Sequence, residues 1–100
     1  MLTLSDINNI ESDEDVSEIE YYQSIQRAIN AGAWSFQGSY GRAMMEAIRS
    51  GRCLLGTKSA RDYWGNVIPS REDVYEGTKG SYEYVSAYSG SDWAQQMEAV

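Results

Sequence analysis

The stretch "SYGRAMMEAIRSG" leaves little freedom in how it folds. Tyr40, Ala43, Met44, Ala47 and Ile48 stand at i, i+3, i+4, i+7 and i+8, the spacing that places apolar side chains on one face of an α-helix. Ser39 is the candidate cap, and Gly51 is placed to end the helix in a left-handed conformation. Arg42, Glu46, Arg49 and Ser50 fall on the water side, with Glu46 in helical reach of Arg42 and Arg49. Two methionines on one apolar face read as gap-filling core.

A second stripe precedes it. Ile19, Tyr22, Ile25, Ala28 and Ile29 recur at three- and four-residue steps, with Glu20, Gln23, Ser24 and Arg27 opposite. Ser12 is the candidate cap, with Asp13, Glu14 and Asp15 in a first turn where the helix dipole favours anions. Ser12 and Asp15 have capping-box spacing, and Gly32 stops the helix. The spacing therefore predicts an N-terminal helical hairpin over about 13–31 and 39–50. Its linker, "AGAWSFQG", carries Trp34 and Phe36, which either plug the hairpin end or stand out as anchors. Residues 1–11 read as a loosely ordered lead-in, with Ser5 able to cap one short turn.

After Gly51 the pattern changes. "CLLG" is a short apolar run, and "YWGNVIP" is another, with Gly65-Asn66 between apolar neighbours as a hairpin turn signal. Ser70 and Asp73 suggest a short helix over 70–76, ended by Gly77. In "SYEYVSAY", Tyr82, Tyr84, Ser86 and Tyr88 alternate with Glu83, Val85 and Ala87, which is strand period. Ser91 or Asp92 caps a final helix over 92–99, with Trp93, Met97 and Val100 as its stripe. The expectation is one α+β domain spanning 1–100, with short strands around 52–55, 63–68 and 81–88.

Composition removes whole classes of chemistry. There is no histidine and a single cysteine, Cys53. Histidine-based acid–base catalysis and Ser-His-Asp or Cys-His triads are excluded. So are an internal disulfide and a structural zinc site, which takes about four Cys or His ligands. Arg52 adjoins Cys53, yet a lone cysteine opening an apolar run reads as core. The net charge of −7, from 15 acids against 8 bases, opposes direct nucleic-acid binding. No apolar run approaches the roughly 20 residues of a membrane span. The opening "MLTLSDINNI" lacks the basic region of a signal peptide, so the expected location is the cytoplasm. Eight Tyr and three Trp against one Phe favour half-buried positions and binding surfaces.

Two near-repeats, "GTKSARDY" and "GTKGSYEY", raise the question of phosphate binding. A P-loop needs lysine directly after its last glycine and a helix opening from it. Thr57 and Thr78 intervene here, so the repeats read as polar connectors. Lys58 and Lys79 remain a candidate anion pair if the two loops meet. Asp62 and Glu83 sit in the repeated context, but two carboxyls doing glycosidase work need a fixed separation across a cleft, and nothing in a chain this short signals one.

The charge is asymmetric. Up to Gln26 there are acids and no base, whereas Arg42 to Lys79 is mildly basic. Asp13, Glu14, Asp15, Glu18 and Glu20 present carboxylates over two helical turns, and duplex DNA also presents regularly spaced negative charge. Such a face competes for a basic groove; the plainer alternative is a well-capped, solvated helix.

With its small size, low pI and the segments "GSYGRAMMEAIRSG" and "DYWGNVIPSREDVYEGTKGSYEYV", the chain resembles the small acidic accessory proteins of bacteriophages, among them anti-CRISPR and other anti-defence inhibitors. The resemblance implies a non-enzymatic inhibitor that binds and blocks a host nucleic-acid-handling complex. The expected contacts are Asp13, Glu14, Asp15, Glu18 and Glu20 as a DNA-mimicking charge, with Trp34 and Phe36 as aromatic anchors. No catalytic residue, metal or cofactor is expected, and the expected partner is a host protein complex with a basic surface. Oligomeric state stays open, a homodimer included. Two alternatives stand beside this reading. One is a nucleic-acid or nucleotide binder using Arg42, Arg49, Arg52, Lys58, Arg61 and Lys79 with the tyrosines. The other is a structural protein that assembles through a Tyr82–Tyr88 edge strand.

Overall fold

A computed structural model of the protein describes residue 10 and residues 17–35, 38–62 and 64–100. These form a small α+β fold with four α-helices and one two-stranded antiparallel sheet among the described residues. Helix α1 spans Glu18–Asn30. A 3-10 turn at Ala33–Ser35 leads to helix α2, Gly38–Arg49. Strands β1, Ala60–Arg61, and β2, Val67–Ile68, follow, then helices α3, Tyr82–Ser89, and α4, Ser91–Glu98.

The two stripes predicted from spacing build the core. Ile25, Ala28 and Ile29 of α1 meet Tyr40, Met44, Ala47 and Ile48 of α2, all buried. Each large apolar side chain fully removed from water contributes about 1.5–3 kcal/mol. The buried side of α1 is wider than one stripe, because it packs against α4 as well as α2. Ser24, expected to face water, is accordingly fully buried. The α1 cap also differs: Ser17 Oγ accepts from the Glu20 N–H at 3.2 Å and donates to Glu20 Oε1 at 2.8 Å. Ser17-x-x-Glu20 is the better capping box, and the proposed Ser12 cap lies outside the described residues. Helix α2 begins at Gly38, which puts Ser39 inside it rather than at its cap.

Three segments depart from expectation. Cys53, Leu54 and Leu55 are buried as the apolar run suggested, but they pair with no strand. Leu54 is instead held by the buried amide of Gln26, whose Nε2 donates to Leu54 O at 2.9 Å and whose Oε1 accepts from Leu54 N at 2.7 Å. Residues 70–76 form turns rather than a helix. Ser70 N does donate to Asp73 Oδ2 at 3.4 Å and the Arg71 N–H goes to Gly56 O at 2.8 Å. The backbone closes only single turns, Asp73 N to Ser70 O and Thr78 N to Tyr75 O at 3.1 Å, because so short a segment does not propagate a helix unaided. Segment 81–88 is helix α3, not a strand. Ser81 Oγ caps it, accepting from Tyr84 N at 3.2 Å and from Gly77 N at 3.1 Å. Tyr84 and Tyr88, one helical turn apart, stack at 4.4 Å. Only a helix brings i and i+4 rings together in this way. An assembly edge at Tyr82–Tyr88 is therefore absent.

The hairpin is real, but its turn is not Gly65-Asn66 alone. Ala60 pairs with Ile68 and Arg61 with Val67, and loop 62–66 is organised by Asp62. Its Oδ1 accepts from Trp64 N at 2.9 Å and Asn66 N at 2.8 Å. At the last helix, Gly90, with φ +97°, occupies the cap position proposed for Ser91 or Asp92.

Two substitutions test this account. Gln26→Leu strips both bonds from the Leu54 backbone and leaves a buried N–H and C=O unmet, so urea unfolding is expected to show a loss of about 3 kcal/mol. A loss below about 1 kcal/mol, the size of one ordinary hydrogen bond, would show that water or a rearrangement replaces the pairing. Gly77 and Gly80 both have positive φ, +81° and +88°. A Cβ at Gly77 meets open space, whereas one at Gly80 would lie 2.4 Å from Leu55 Cγ. Gly77→Ala is expected to lower stability by about 1 kcal/mol from backbone strain alone. Gly80→Ala adds overpacking and should lower it by at least about 2 kcal/mol in the same assay.

Candidate interaction surfaces

Of the charged residues proposed for a DNA-like face, Asp13, Glu14 and Asp15 lie outside the described residues. Glu18 and Glu20 are exposed, and both also work within the fold. Glu20 closes the α1 cap. Glu18 Oε1 sits 3.2 Å from Arg52 Nη1, and the Arg52 guanidinium lies over the Trp93 ring, 5.1 Å from its centroid. Trp93 Nε1 donates back to Arg52 O at 2.7 Å. Arg52 is thus a clasp between the start of α1 and α4.

Trp34 does not stand out as an anchor. It is 4% exposed within the core cluster, plugging the hairpin end, which is the other role its linker allowed. Phe36 lies outside the described residues. Lys58 and Lys79 are both exposed. Lys79 lines a shallow, open depression with Val74, Thr78 and Tyr84, and Lys58 does not reach it. The two near-repeats also differ in backbone. Gly56 is buried against Ile29 O, 3.2 Å from where its Cβ would stand, while Gly77 turns freely in solvent at positive φ.

The basic residues of 42–79 are divided among different parts of the molecule. Arg52 belongs to the clasp. Arg71 is a half-buried strut, with Nε donating to Leu55 O at 2.7 Å and Nη2 to Asn30 Oδ1 at 3.3 Å. Burial pulls its guanidinium below the usual range, against the opposing pull of Glu98 and Glu72. Only Arg42 and Arg49 come together, on a groove of about 440 Å³ between α2 and the hairpin. Trp34, Met45, Trp64 and Ile68 supply its apolar lining, and Glu46 and Asp62 line it as well. Trp64 is 81% exposed. The sequence reading placed this tryptophan in an apolar run; the Asp-x-Trp-Gly-Asn pattern around it is a loop signal that lifts it into solvent.

The outer charge is more acidic than the sequence alone implies. Every described acid other than Asp62 is exposed, while Arg27, Arg52 and Arg71 are half-buried. Cys53 is fully buried, its Sγ 3.4 Å from Tyr22 O, and burial pushes its thiol far above the ordinary range. No group of three or more carboxylates or thiols among the described residues is placed to hold a metal ion, and no described helix is long and apolar enough to cross a membrane. Comparison with protein-family models, with curated proteins and with solved structures finds no match.

Cys53 gives a direct check. Iodoacetamide at mild alkaline pH is expected to leave it unlabelled in the native protein and to label it on unfolding. Because the folded thiol titrates above the unfolded one, its contribution is complete below the ordinary thiol range and is lost as pH climbs past about 8.5. Burial raises Tyr22 in the same direction. Urea unfolding at neutral pH and near pH 10 should show the decline, with a shallower slope in Cys53→Ala.

Proposed function

We propose that the protein is a non-enzymatic binding protein that occupies a basic surface of a macromolecular complex, its acidic exterior taking the place of nucleic-acid phosphates. One observation carries this reading: the acids are displayed and three of the bases are withdrawn into the fold. Arg52 is spent on Glu18 and the Trp93 ring, and Arg71 on backbone and amide oxygens. An outward field of this sign steers association with positive surfaces. The resemblance to phage anti-defence proteins supplies the kind of target, a host nucleic-acid-handling complex in the cytoplasm, and the mode of action, blockade.

The test is a pull-down with tagged protein from nuclease-treated bacterial lysate, followed by competition between the protein and duplex DNA for whatever is retained. Retention is expected at about 50 mM salt and release by about 500 mM, because exposed charges are screened over that range. Reversing Glu83, Asp92 and Glu98 to lysine should weaken retention. A complex held equally at both salt concentrations, or one whose DNA binding is untouched, would remove the charge-based reading.

A further inference from the structure

We propose that the groove between α2 and the hairpin is a self-association surface, and that its occupant is Trp64 of a second copy of this chain. The inference does not depend on the function proposed above. A knob stands beside a hole. Trp64, 81% exposed, rises at the rim of a groove of about 440 Å³ floored in part by Met45 and Ile68. A twofold dimer requires the same patch on both copies to be complementary to itself. A projecting indole next to a cavity that can take one meets that requirement: each copy gives a ring and receives one.

The knob is also held in place before binding. Asp62 Oδ1 accepts the Trp64 and Asn66 N–H groups, and Arg61 Nη1 donates to Gly65 O at 2.9 Å. A residue whose backbone is already bonded loses less freedom on association. Tryptophan and arginine are the residue types that most often anchor interfaces.

Charge selects a second copy as the occupant. The chain carries −7, so most approaches between two copies bring acid to acid. The groove carries both signs. Arg42 and Arg49 lie on its α2 rim with Glu46 between them, neither arginine makes an ion pair among the described residues, and the Asp62 carboxylate is engaged by its own loop. Arg42 and Arg49 are about 10 Å apart along the helix, with Glu46 near the middle. Two such rims brought together antiparallel set the arginines of each copy about the glutamate of the other.

Sedimentation equilibrium of the full chain, from about 10 μM to about 1 mM, tests this. The expected species is a dimer, twice the 11.2 kDa chain mass. Trp64→Ala should weaken the dimer at least about 30-fold, the scale of an interface hot spot, with the variant still unfolding cooperatively on heating. The double variant Arg42→Glu with Arg49→Glu, and separately Glu46→Lys, should each be monomeric alone and form a heterodimer when mixed. A wild-type monomer throughout the range overturns the proposal. So does a dimer that Trp64→Ala leaves intact. Saturable binding of AMP to a monomer, lost when Arg42 and Arg49 are reversed, would give the groove to a nucleotide and overturn it too.

Discussion

The amide of Gln26 ties the middle of α1 to the central extended segment through both backbone groups of one residue. It lies fully buried on α1 and meets both backbone groups of Leu54, as a neighbouring strand would. Leaving those groups unpaired in the core would cost several kcal/mol. One side chain therefore pairs Leu54 as a strand would, while Cys53 N, Leu55 N and Gly56 O find partners elsewhere. The same Nε2 also donates to Asn30 Oδ1 at 3.1 Å. Asn30 in turn donates to Val100 O at 3.1 Å and accepts from Arg71. Arg71 reaches Leu55 O. A continuous polar strut thus joins α1, the central extended segment, the 70–71 turn and the end of α4.

Around that strut, close packing depends on missing side chains. Gly80 presses on Leu55 and accepts the Leu55 N–H at 3.0 Å. Gly51 lies under Tyr88, where an added Cβ would be 2.4 Å from Tyr88 Cβ. These two contacts seat α3 against the central segment and the end of α2. Tyr84 Oη then donates to Arg49 O at 2.8 Å and Ser89 Oγ to Gly51 O at 2.8 Å. Both bonds supply partners to carbonyls at the end of α2, where intrahelical donors run out.

Helices α1, α2 and α4 were legible because their apolar residues recur at three- and four-residue steps and nothing local contradicts that period. Helix α3 was not, because a tyrosine at every second position satisfies a strand and a stacked helix face alike. Ser81 settled it, with Gly80 ahead of it and Val85 buried one turn on, and a cap is a weaker signal than an alternating run. The burial of Cys53–Leu55 could be read from hydrophobicity, but their partner could not, because a glutamine on a helix gives no hint that its amide faces inward. Charge was readable as a total; which arginines would be consumed inside depended on tertiary contacts. Trp64 escaped notice because tryptophan is ordinarily core, and only the loop geometry set by Asp62 raises it into solvent.

The strut is built of amides, backbone groups and one guanidinium, and a guanidinium stays protonated at any ordinary pH. Its hydrogen bonds have no proton to gain in acid. The carboxylates that give the exterior its sign take no part in the strut. Substitution of those surface acids would change the outer charge while the centre kept its bonds, so the molecule can change its electrostatic character and still hold its shape. Asp62 is the point where the two meet. Its carboxylate, with Arg61 and the backbone of the turn, holds the loop beneath Trp64, so a change of charge there is also a change of shape.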